Sequence, residues 1–308
     1  MPDNSTAIKT SGLTKKFGNH PAVDNLDLEI QKGELFGLVG PDGAGKTTIM
    51  RLLSAILDPT SGEAWVAGHS ISNEGEKIKE KLGYMSQRFG LYEDLTVMEN
   101  IFFYADLYEV PQKERPARIE RLLGFSNLTP FKDRLAGKLS GGMKQKLGLA
   151  CALIHTPEVL FLDEPTNGVD PVSRRDFWRI LYDLLKEGVT ILISTAYLDE
   201  AERCTQVGLI HKGRLMMKDS PMGIKKSLGL PMIELWSDDA RNAAVTIREV
   251  EGVKGVSIYG DRLHITIEKK ETAGIIVEKL RKEGIAVKEQ REILPSIEDI
   301  FISMVQGK

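Results

Sequence analysis

The chain contains little cysteine and no long apolar run. Its 308 residues include two cysteines, Cys151 and Cys204, which lie in apolar helical contexts without the spacing of a metal site. This usage suits a reducing compartment. No run of 18 or more apolar residues occurs and the N-terminus lacks an apolar signal core, so we expect neither a transmembrane helix nor a signal peptide. Any membrane role is expected to come through partners.

An excess of positive charge is also missing. The chain has 41 Lys and Arg against 44 Asp and Glu, a formal net charge of −3, which does not indicate a general nucleic-acid binder. The 42% hydrophobic and 28% charged residues are those of an ordinary soluble protein. A chain of this length forms one or two domains with a large core.

One stretch carries a specific chemical signal. Residues 35–39 are a short apolar run typical of a buried strand, and residues 47–57 have apolar residues at helical spacing. The connecting residues are Gly40, Pro41, Asp42, Gly43, Ala44, Gly45, Lys46, Thr47 and Thr48, which match G-x-x-x-x-G-K-[ST]. Glycines and a helix N-terminus present backbone N–H groups to phosphate oxygens. We therefore predict that Lys46 reaches the β- and γ-phosphates of a nucleotide and that the Thr47 hydroxyl ligates Mg²⁺.

The pattern around this loop predicts several layers. Alternating apolar residues over 7–31 indicate an antiparallel sheet, and residues 95–153 are almost wholly helical. From residue 158 onward, apolar strands alternate with helices, which predicts a mostly parallel α/β sheet. We place the first domain at residues 1–228, with its helical part at about 88–155.

Two features of the helical part can be checked directly. Thr96 followed by Glu99 has the spacing of a capping box at the start of a helix. The same helix carries four aromatic residues, Phe102, Phe103, Tyr104 and Tyr108. We interpret these rings as core, and a patch facing a partner is the alternative.

The remaining residues, 229–308, form a different pattern. Their predicted order, β-α-β-β-α-β followed by an amphipathic helix, is that of a ferredoxin-like α+β unit. This region has no clustered His, Cys or carboxylate residues, so we assign it no chemistry. Packing or dimerisation is its expected role.

Further motifs follow the phosphate loop. They are Gln87 as a Q-loop, Leu139-Ser140-Gly141-Gly142-Met143 as a signature, Asp163-Glu164 as a Walker B end and Asn167-Gly168-Val169-Asp170 as a D-loop. In this order and spacing, residues 7–228 resemble the nucleotide-binding subunit of an ABC transporter. The resemblance implies a P-loop ABC-type fold, with antiparallel and helical subdomains, that binds ATP with Mg²⁺.

The resemblance also implies roles for single residues. Phe17 would stack on adenine, with an aromatic buried in an edge strand as the alternative. Asp163 would hold Mg²⁺, because a carboxylate at the end of an apolar strand is costly without a cation. Glu164 would be the general base for the attacking water. Gln87 would sense Mg²⁺ and that water, with an ordinary surface amide as the alternative.

In such subunits the signature serves the partner's nucleotide. Ser140, Gly141 and Gly142 open a helix whose N-terminus would face the γ-phosphate held by a second subunit, from the same or a different chain. Two ATP molecules would lie between the two subunits. Closure and hydrolysis would then move integral membrane permease subunits.

Three positions depart from the family's pattern. Met143 replaces the usual Gln, and Asp42 stands where Asn is common. The largest departure is Ala196, where the family has a His that contacts the γ-phosphate, since alanine can neither donate a hydrogen bond nor carry charge. Thr195-Ala196-Tyr197 resembles the N-terminal half of fused two-domain exporters. Low activity and a place as the weaker half of an asymmetric pair are therefore expected. The alternative is an active homodimer in which a nearby side chain, such as that of Tyr197, takes the place of the His.

The C-terminal end of the chain indicates which branch of the family it resembles. Its end, Leu294-Pro295-Ser296-Ile297-Glu298-Asp299-Ile300-Phe301, resembles the drug-resistance branch, typified by daunorubicin-resistance ATPases. We expect an exporter ATPase subunit that is cytoplasmic and peripheral on the inner face of the cell membrane, without nucleic acid. The alternative is a soluble ABC ATPase that acts on ribosomes or nucleic acid, a class that usually carries two such domains and a basic linker.

Overall fold

The computed structural model describes residues 5–88 and 90–306. The chain divides into two compact units, Met1–Lys218 and Asp219–Lys308. Within the described ranges, no helix combines the length and the apolar character that crossing a membrane would require.

The first unit contains both strands and helices. Its strands are β1 (Thr6–Phe17), β2 (His20–Gln31), β3 (Leu35–Val39), β4 (Ser61–Val66), β5 (His69–Ser70), β6 (Leu82–Met85), β7 (Val159–Asp163), β8 (Thr190–Thr195), β9 (Gln206–His211) and β10 (Arg214–Asp219). Its helices are α1 (Lys46–Leu53), α2 (Gly75–Lys81), α3 (Val97–Leu107), α4 (Arg115–Phe125), α5 (Gly141–Leu153), α6 (Pro171–Lys186) and α7 (Leu198–Ala201). Two 3-10 helices, Thr129–Phe131 and Ala136–Lys138, precede α5.

The strands form the two predicted sheets. An antiparallel sheet has the order β2-β1-β4-β5, and a second sheet has the order β10-β9-β3-β8-β7-β6. In the second sheet the neighbouring pairs β9–β3, β3–β8, β8–β7 and β7–β6 are parallel. All residues of β3, β7 and β8 are buried, which explains their continuous apolar sequences.

The register brings the ends of the parallel strands together. Val39 of β3 pairs with Thr195 of β8, and Asp163 of β7 pairs with Ser194 of β8. The chain segments that follow β3, β6, β7 and β8 therefore leave the same edge of the sheet. Ligands of open α/β sheets bind at this carboxyl edge.

The helical part confirms one prediction and corrects another. Thr96 and Glu99 form the reciprocal bonds of the predicted capping box. Tyr104 is buried, which confirms the core interpretation for it. Tyr108 is half-buried, and its ring stacks on that of His155 at 3.9 Å. Phe102 and Phe103 are exposed, so the core interpretation was wrong for them. A helix with aromatics at consecutive positions cannot turn all of them toward one side.

The second unit has the predicted ferredoxin-like order. Its elements are α8 (Pro221–Lys226), β11 (Met232–Ser237), α9 (Ala240–Arg248), β12 (Val253–Tyr259), β13 (Arg262–Ile267), α10 (Thr272–Lys282), β14 (Val287–Ile293) and α11 (Ile297–Gln306). The sheet order is β12-β13-β11-β14, and each of these neighbouring pairs is antiparallel. Its core contains Leu235, Ile247, Leu263 and Ile276.

This unit begins earlier than the predicted start at residue 229. Helix α8 packs against α11, so it belongs to the second unit, which starts at Asp219. The sequence break at Gly229-Leu230-Pro231 marks the entry to β11 instead.

Candidate functional site

The loop between β3 and α1 depends on glycine at specific positions. A β-carbon on Gly40 would lie 2.2 Å from the carbonyl oxygen of Ile210, and one on Gly45 would lie 2.3 Å from that of Ala22. Gly45 also has φ of 104°, in a region that L side chains rarely adopt. The loop can therefore fold tightly against its neighbours only with these glycines.

This loop forms much of the wall of a cavity of about 340 Å³. The wall consists of Ala22, Asp42, Gly43, Ala44, Gly45, Lys46, Thr47, Thr48, Gln87, Glu164 and Asn167. The structure thus brings most of the predicted loop residues together with Gln87 and Glu164. These residues follow three different parallel strands, β3, β6 and β7.

Lys46 crosses the loop at the base of this cavity. Its side chain is 4% exposed, and its Nζ donates to the carbonyl oxygens of Gly40 at 2.8 Å and Pro41 at 3.1 Å. The same nitrogen lies 3.2 Å from Oε1 of Glu164. A buried ammonium so close to a cavity is placed to meet an anionic ligand.

Glu164 is held from three sides. Nε2 of Gln87 donates to its Oε2 at 3.0 Å, while Lys46 pairs with its Oε1. Its backbone N–H donates to the Ser194 hydroxyl at 3.0 Å. Its φ is 49°, the left-handed region, which costs a non-glycine residue about 1–2 kcal/mol. Strain of this kind concentrates at functional sites and agrees with a carboxylate held in one direction.

Asp163, at the end of β7, provides a test for a metal ion. The residue is 1% exposed, and its Oδ1 accepts a hydrogen bond from Ser194 Oγ at 2.6 Å. Its Oδ2 is buried and has no hydrogen-bond partner among the described residues. An unpaired buried carboxylate oxygen is costly, and oxygen donors of this type are those that Mg²⁺ prefers. The donors at this edge of the sheet therefore fit a magnesium ion.

A second cavity of about 230 Å³ lies beside the first. Both cavities share Asp42, Glu164 and Asn167 in their walls. The remaining wall residues of the second are Thr166, Thr195, Ala196 and Tyr197. Ala196 thus faces the space next to Glu164, as expected from its position after β8.

The predicted residues Gly40, Pro41 and Asp163 are not part of these cavity walls, and neither are Phe17 and the signature residues. Phe17 ends β1 with 54% of its surface exposed, and Lys15 Nζ lies 5.6 Å from its ring centroid. Its ring is not buried in an edge strand. Ser140 caps α5 by accepting from the backbone N–H of Met143 at 3.3 Å. Gly142 packs against Ser173, where a β-carbon would lie 2.4 Å from the serine side chain.

Sequence reasoning gave no role to two residues that shape the site, Ser194, which bonds Asp163 and Glu164, and the wall residue Thr166. The wall residue Asn167 was named only as part of the D-loop, and Tyr197 only as a possible replacement for the missing His. Ser194 acts through the pairing of β7 with β8, and strand order is not visible in a single sequence. Asn167 begins the D-loop motif, three residues after Glu164. This short separation could have indicated that Asn167 lies near the same site.

The cysteines do not contribute a nucleophile. Cys151 and Cys204 are both free and buried. Burial raises the pKa of both thiols, that of Cys204 to about 12. Thiols of this kind are inert at neutral pH.

A glycine loop, a buried lysine and two carboxylates at the carboxyl edge of a parallel sheet define a P-loop nucleotide-binding domain. Residues 23–167 match the ABC transporter family, and residues 220–305 match the C-terminal domain of the DrrA1-3-like ATP-binding proteins. The chain belongs to the family of ABC transporter ATP-binding proteins.

Similar proteins place it within that family. It is 45% identical to the probable multidrug ABC transporter ATP-binding protein YbhF of Escherichia coli K12, over 99% of this chain and 53% of YbhF. It is 33% identical to the daunorubicin resistance ATP-binding protein DrrA2 of Streptomyces coeruleorubidus, over 97% of this chain and 94% of DrrA2. The chain therefore spans about half the length of YbhF and nearly all of DrrA2.

A solved structure supports the fold of the first unit. The dimeric ATP-binding cassette MJ0796, bound to ADP and phosphate after hydrolysis, is 25% identical with a TM-score of 0.63. The match covers 69% of this chain and 98% of MJ0796. These relatives do not favour the alternative of a soluble ABC protein that acts on ribosomes or nucleic acid.

Proposed function

We propose that this chain is the ATP-binding and ATP-hydrolysing subunit of an ABC exporter. The observation that carries the proposal is the meeting of Lys46, Gln87 and Glu164 at the glycine loop, beside the unpartnered oxygen of Asp163. The names of YbhF and DrrA2, a probable multidrug transporter protein and a daunorubicin resistance protein, support export as the direction of transport.

In this proposal the first cavity holds the phosphates of ATP. Lys46 turns its ammonium from the loop carbonyls to the β- and γ-phosphates. Thr47, Gln87 and Asp163 would hold Mg²⁺, which neutralises phosphate charge when bound. Phe17 stacks on adenine, because its exposed ring offers a flat face at the end of β1.

Glu164 acts on the water that attacks the γ-phosphate. Its carboxylate accepts the water's proton as general base. Gln87 and Lys46 hold one oxygen each, so the carboxylate is oriented before the substrate arrives. Preorganisation of this kind contributes to the rate because little has to move during the reaction.

The signature acts on the nucleotide of a second subunit. Ser140, Gly141 and Gly142 open α5, and the first two of them are exposed. This position suits head-to-tail association, in which the N-terminus of α5 faces the partner's γ-phosphate. The structure of MJ0796 with ADP and phosphate is dimeric, which supports the association of two such subunits.

Membrane permease subunits convert these steps into transport, which places the chain on the inner face of the cell membrane. We assign the exposed rings of Tyr92, Phe102 and Phe103 to the permease. The rings of Tyr92 and Phe103 lie 4.6 Å apart, so they form one continuous surface. That surface follows Gln87 in the chain, which links it to the nucleotide site.

Ala196 makes this chain the weaker half of an asymmetric pair. It adds only a methyl group to the wall of the second cavity, where a hydrogen-bond donor to the γ-phosphate is expected. The other half, with a donor at this place, would carry most of the turnover.

Calorimetry of ATP binding tests the proposal. Lys46→Ala should weaken the affinity at least tenfold, because a charge-assisted contact contributes about 1.5–3 kcal/mol. Lys113→Ala is the control, since Lys113 is an exposed lysine away from the cavity wall. Equal affinities of the parent and Lys46→Ala, in folded protein, would reject the assignment.

A further inference from the structure

Glu200 of α7 is a buried carboxylate that the proposed mechanism does not use. The residue is 0% exposed. Its Oε1 accepts from the Thr166 hydroxyl at 2.6 Å and from the Trp178 indole N–H at 3.4 Å. Its Oε2 accepts from the Thr195 hydroxyl at 2.8 Å. Buried carboxylates are tolerated when several donors satisfy them, and here the donors come from three different segments.

A cation completes this arrangement. Arg174 of α6 places its Nε 3.6 Å from Oε1 of Glu200, which is an ion pair although it is too long for a hydrogen bond. The guanidinium of Arg174 also covers the ring of Tyr197, with 4.6 Å from its central carbon to the ring centroid. Arg174 therefore joins the buried charge of Glu200 to the wall of the second cavity.

The contacts form a closed circuit around that wall. Thr195 accepts from the backbone N–H of Tyr197 at 2.9 Å, while donating to Glu200. The Tyr197 hydroxyl contacts Oδ1 of Asn167 at 3.3 Å. Asn167 follows Thr166, which returns the circuit to Glu200. The two segments that this circuit joins are the segment after Glu164 and the segment around Ala196.

We infer that Glu200 is a positioning residue for ATP hydrolysis. It holds Thr166-Asn167 and Thr195-Ala196-Tyr197 at a fixed separation, so that the cavity wall opposite Glu164 is formed before the phosphates bind. The inference rests on the proposed function, and it adds a residue that touches neither ATP nor the water. Loss of the circuit lets the wall move, and a shift of about 1 Å at a reacting centre costs up to about 100-fold in rate.

The test measures ATP affinity, kcat and KM for Glu200→Gln, at a temperature well below unfolding of each variant. We expect kcat to fall about 10- to 100-fold, while the ATP dissociation constant stays within about threefold, because the contacts of Lys46 are untouched. Asp199→Asn is the matched control, since it removes one carboxylate from an exposed position on the same helix.

Thr195→Val is a second variant that tests the same inference if Glu200→Gln does not fold. It keeps the branched shape and replaces the hydroxyl by a methyl group, which removes the bonds to Glu200 and to the Tyr197 N–H, so it should lower kcat in the same way. Unchanged kcat in folded Glu200→Gln or Thr195→Val, with only a lower unfolding temperature, would overturn the inference.

Hydrogen exchange provides a readout that does not depend on turnover. In Glu200→Gln, backbone amides of residues 164–169 and 194–198 should exchange faster, while those of the loop at residues 40–47 should not. If those two segments keep parental protection, Glu200 does not position them. Absence of ATP binding by the parent would instead reject the proposed function, and the exchange result would still decide the role of Glu200.

Discussion

Charged groups are buried both at the phosphate loop of the first unit and in the second unit, but their hydrogen-bonding capacity is satisfied differently. In the first unit, Asp163 keeps one oxygen without a partner, and the Lys46–Glu164 ion pair borders a cavity. In the second unit, Glu234 and Asp299 are also buried, yet each is surrounded by donors. A buried charged group that lacks hydrogen-bond partners and lies beside open space indicates a ligand site. A buried charged group with all its partners indicates a contribution to the stability of the fold.

The cluster of the second unit is centred on His264 of β13. Its Nδ1 lies 2.9 Å from Oδ1 of Asp299, and its Nε2 lies 3.4 Å from Oε1 of Glu234. Arg291 donates to Glu234 at 2.7 Å through Nε, and Ser296 donates to Asp299 at 2.7 Å through its hydroxyl. These contacts fasten α11 to the sheet. Folding thus brings together a histidine and two carboxylates that lie far apart in the sequence, and the expectation that this region has no such cluster was wrong.

Restoring a donor at position 196 should produce the largest change in the first unit. Ala196→His is expected to raise ATP turnover, because one preorganised donor is typically worth about 10²–10³ in rate. The measurement is steady-state turnover of the purified parent, which should be slow although it binds ATP, and of the variant. Tyr197→Phe is the companion variant, since Tyr197 could supply a hydroxyl instead. Fast parental turnover with no gain from histidine would contradict the asymmetric pair.

His155 in the first unit and His264 in the second should respond to pH in opposite directions. Burial lowers the pKa of His155 in the first unit to about 4. The hydrogen bond to Asp299 raises the pKa of His264, against the opposing effect of burial. His155 therefore contributes stability that is lost as pH falls from about 6.5 toward 4. The contribution of His264 is complete below about 6.5 and is lost as pH rises through its raised pKa.

Proton NMR titration of the imidazole signals checks this difference. His155→Phe and His264→Gln assign the two signals. We expect His155 to remain neutral at pH 6 and His264 to remain protonated above its ordinary pKa. Identical titration of both rings near pH 6.5 would show that neither environment acts as described.

Removal of the second unit should have the smallest effect on nucleotide affinity. A chain ending at residue 220 keeps the whole cavity wall, so its ATP dissociation constant should stay within about threefold of the parent. Limited proteolysis should cut near residues 219–232 and leave a fragment that binds ATP. Loss of binding on trimming would mean that the second unit supports the site.

The sequence predicted much of this molecule because its signals are local. The loop at residues 40–47 can be recognised from its glycine spacing. The apolar run at residues 35–39 predicted strand β3 with the same bounds that the structure has. The capping box at Thr96 is equally local. Such features depend on a few neighbouring residues, so a single chain reveals them.

Long-range features were beyond the same reasoning. Ser194 meets Asp163 because β7 and β8 are neighbours, and Glu200 meets Thr166 across 34 positions of sequence. The domain boundary was placed at a Gly-Leu-Pro break, although the packing of α8 assigns residues 219–228 to the second unit. Partners of this kind are set by tertiary packing, which leaves no periodic signal.

One pair of substitutions tests the contrast between the units most directly. Glu164→Gln and Glu234→Gln each remove one buried carboxylate and keep its shape. Under conditions where the parent hydrolyses ATP, Glu164→Gln should lower turnover about 100-fold or more while keeping ATP binding. Glu234→Gln should keep turnover and lower the unfolding temperature of the second unit by about 5 °C or more, since Arg291 and His264 lose their partner. Parental turnover in Glu164→Gln, or lost turnover in folded Glu234→Gln, would contradict the account.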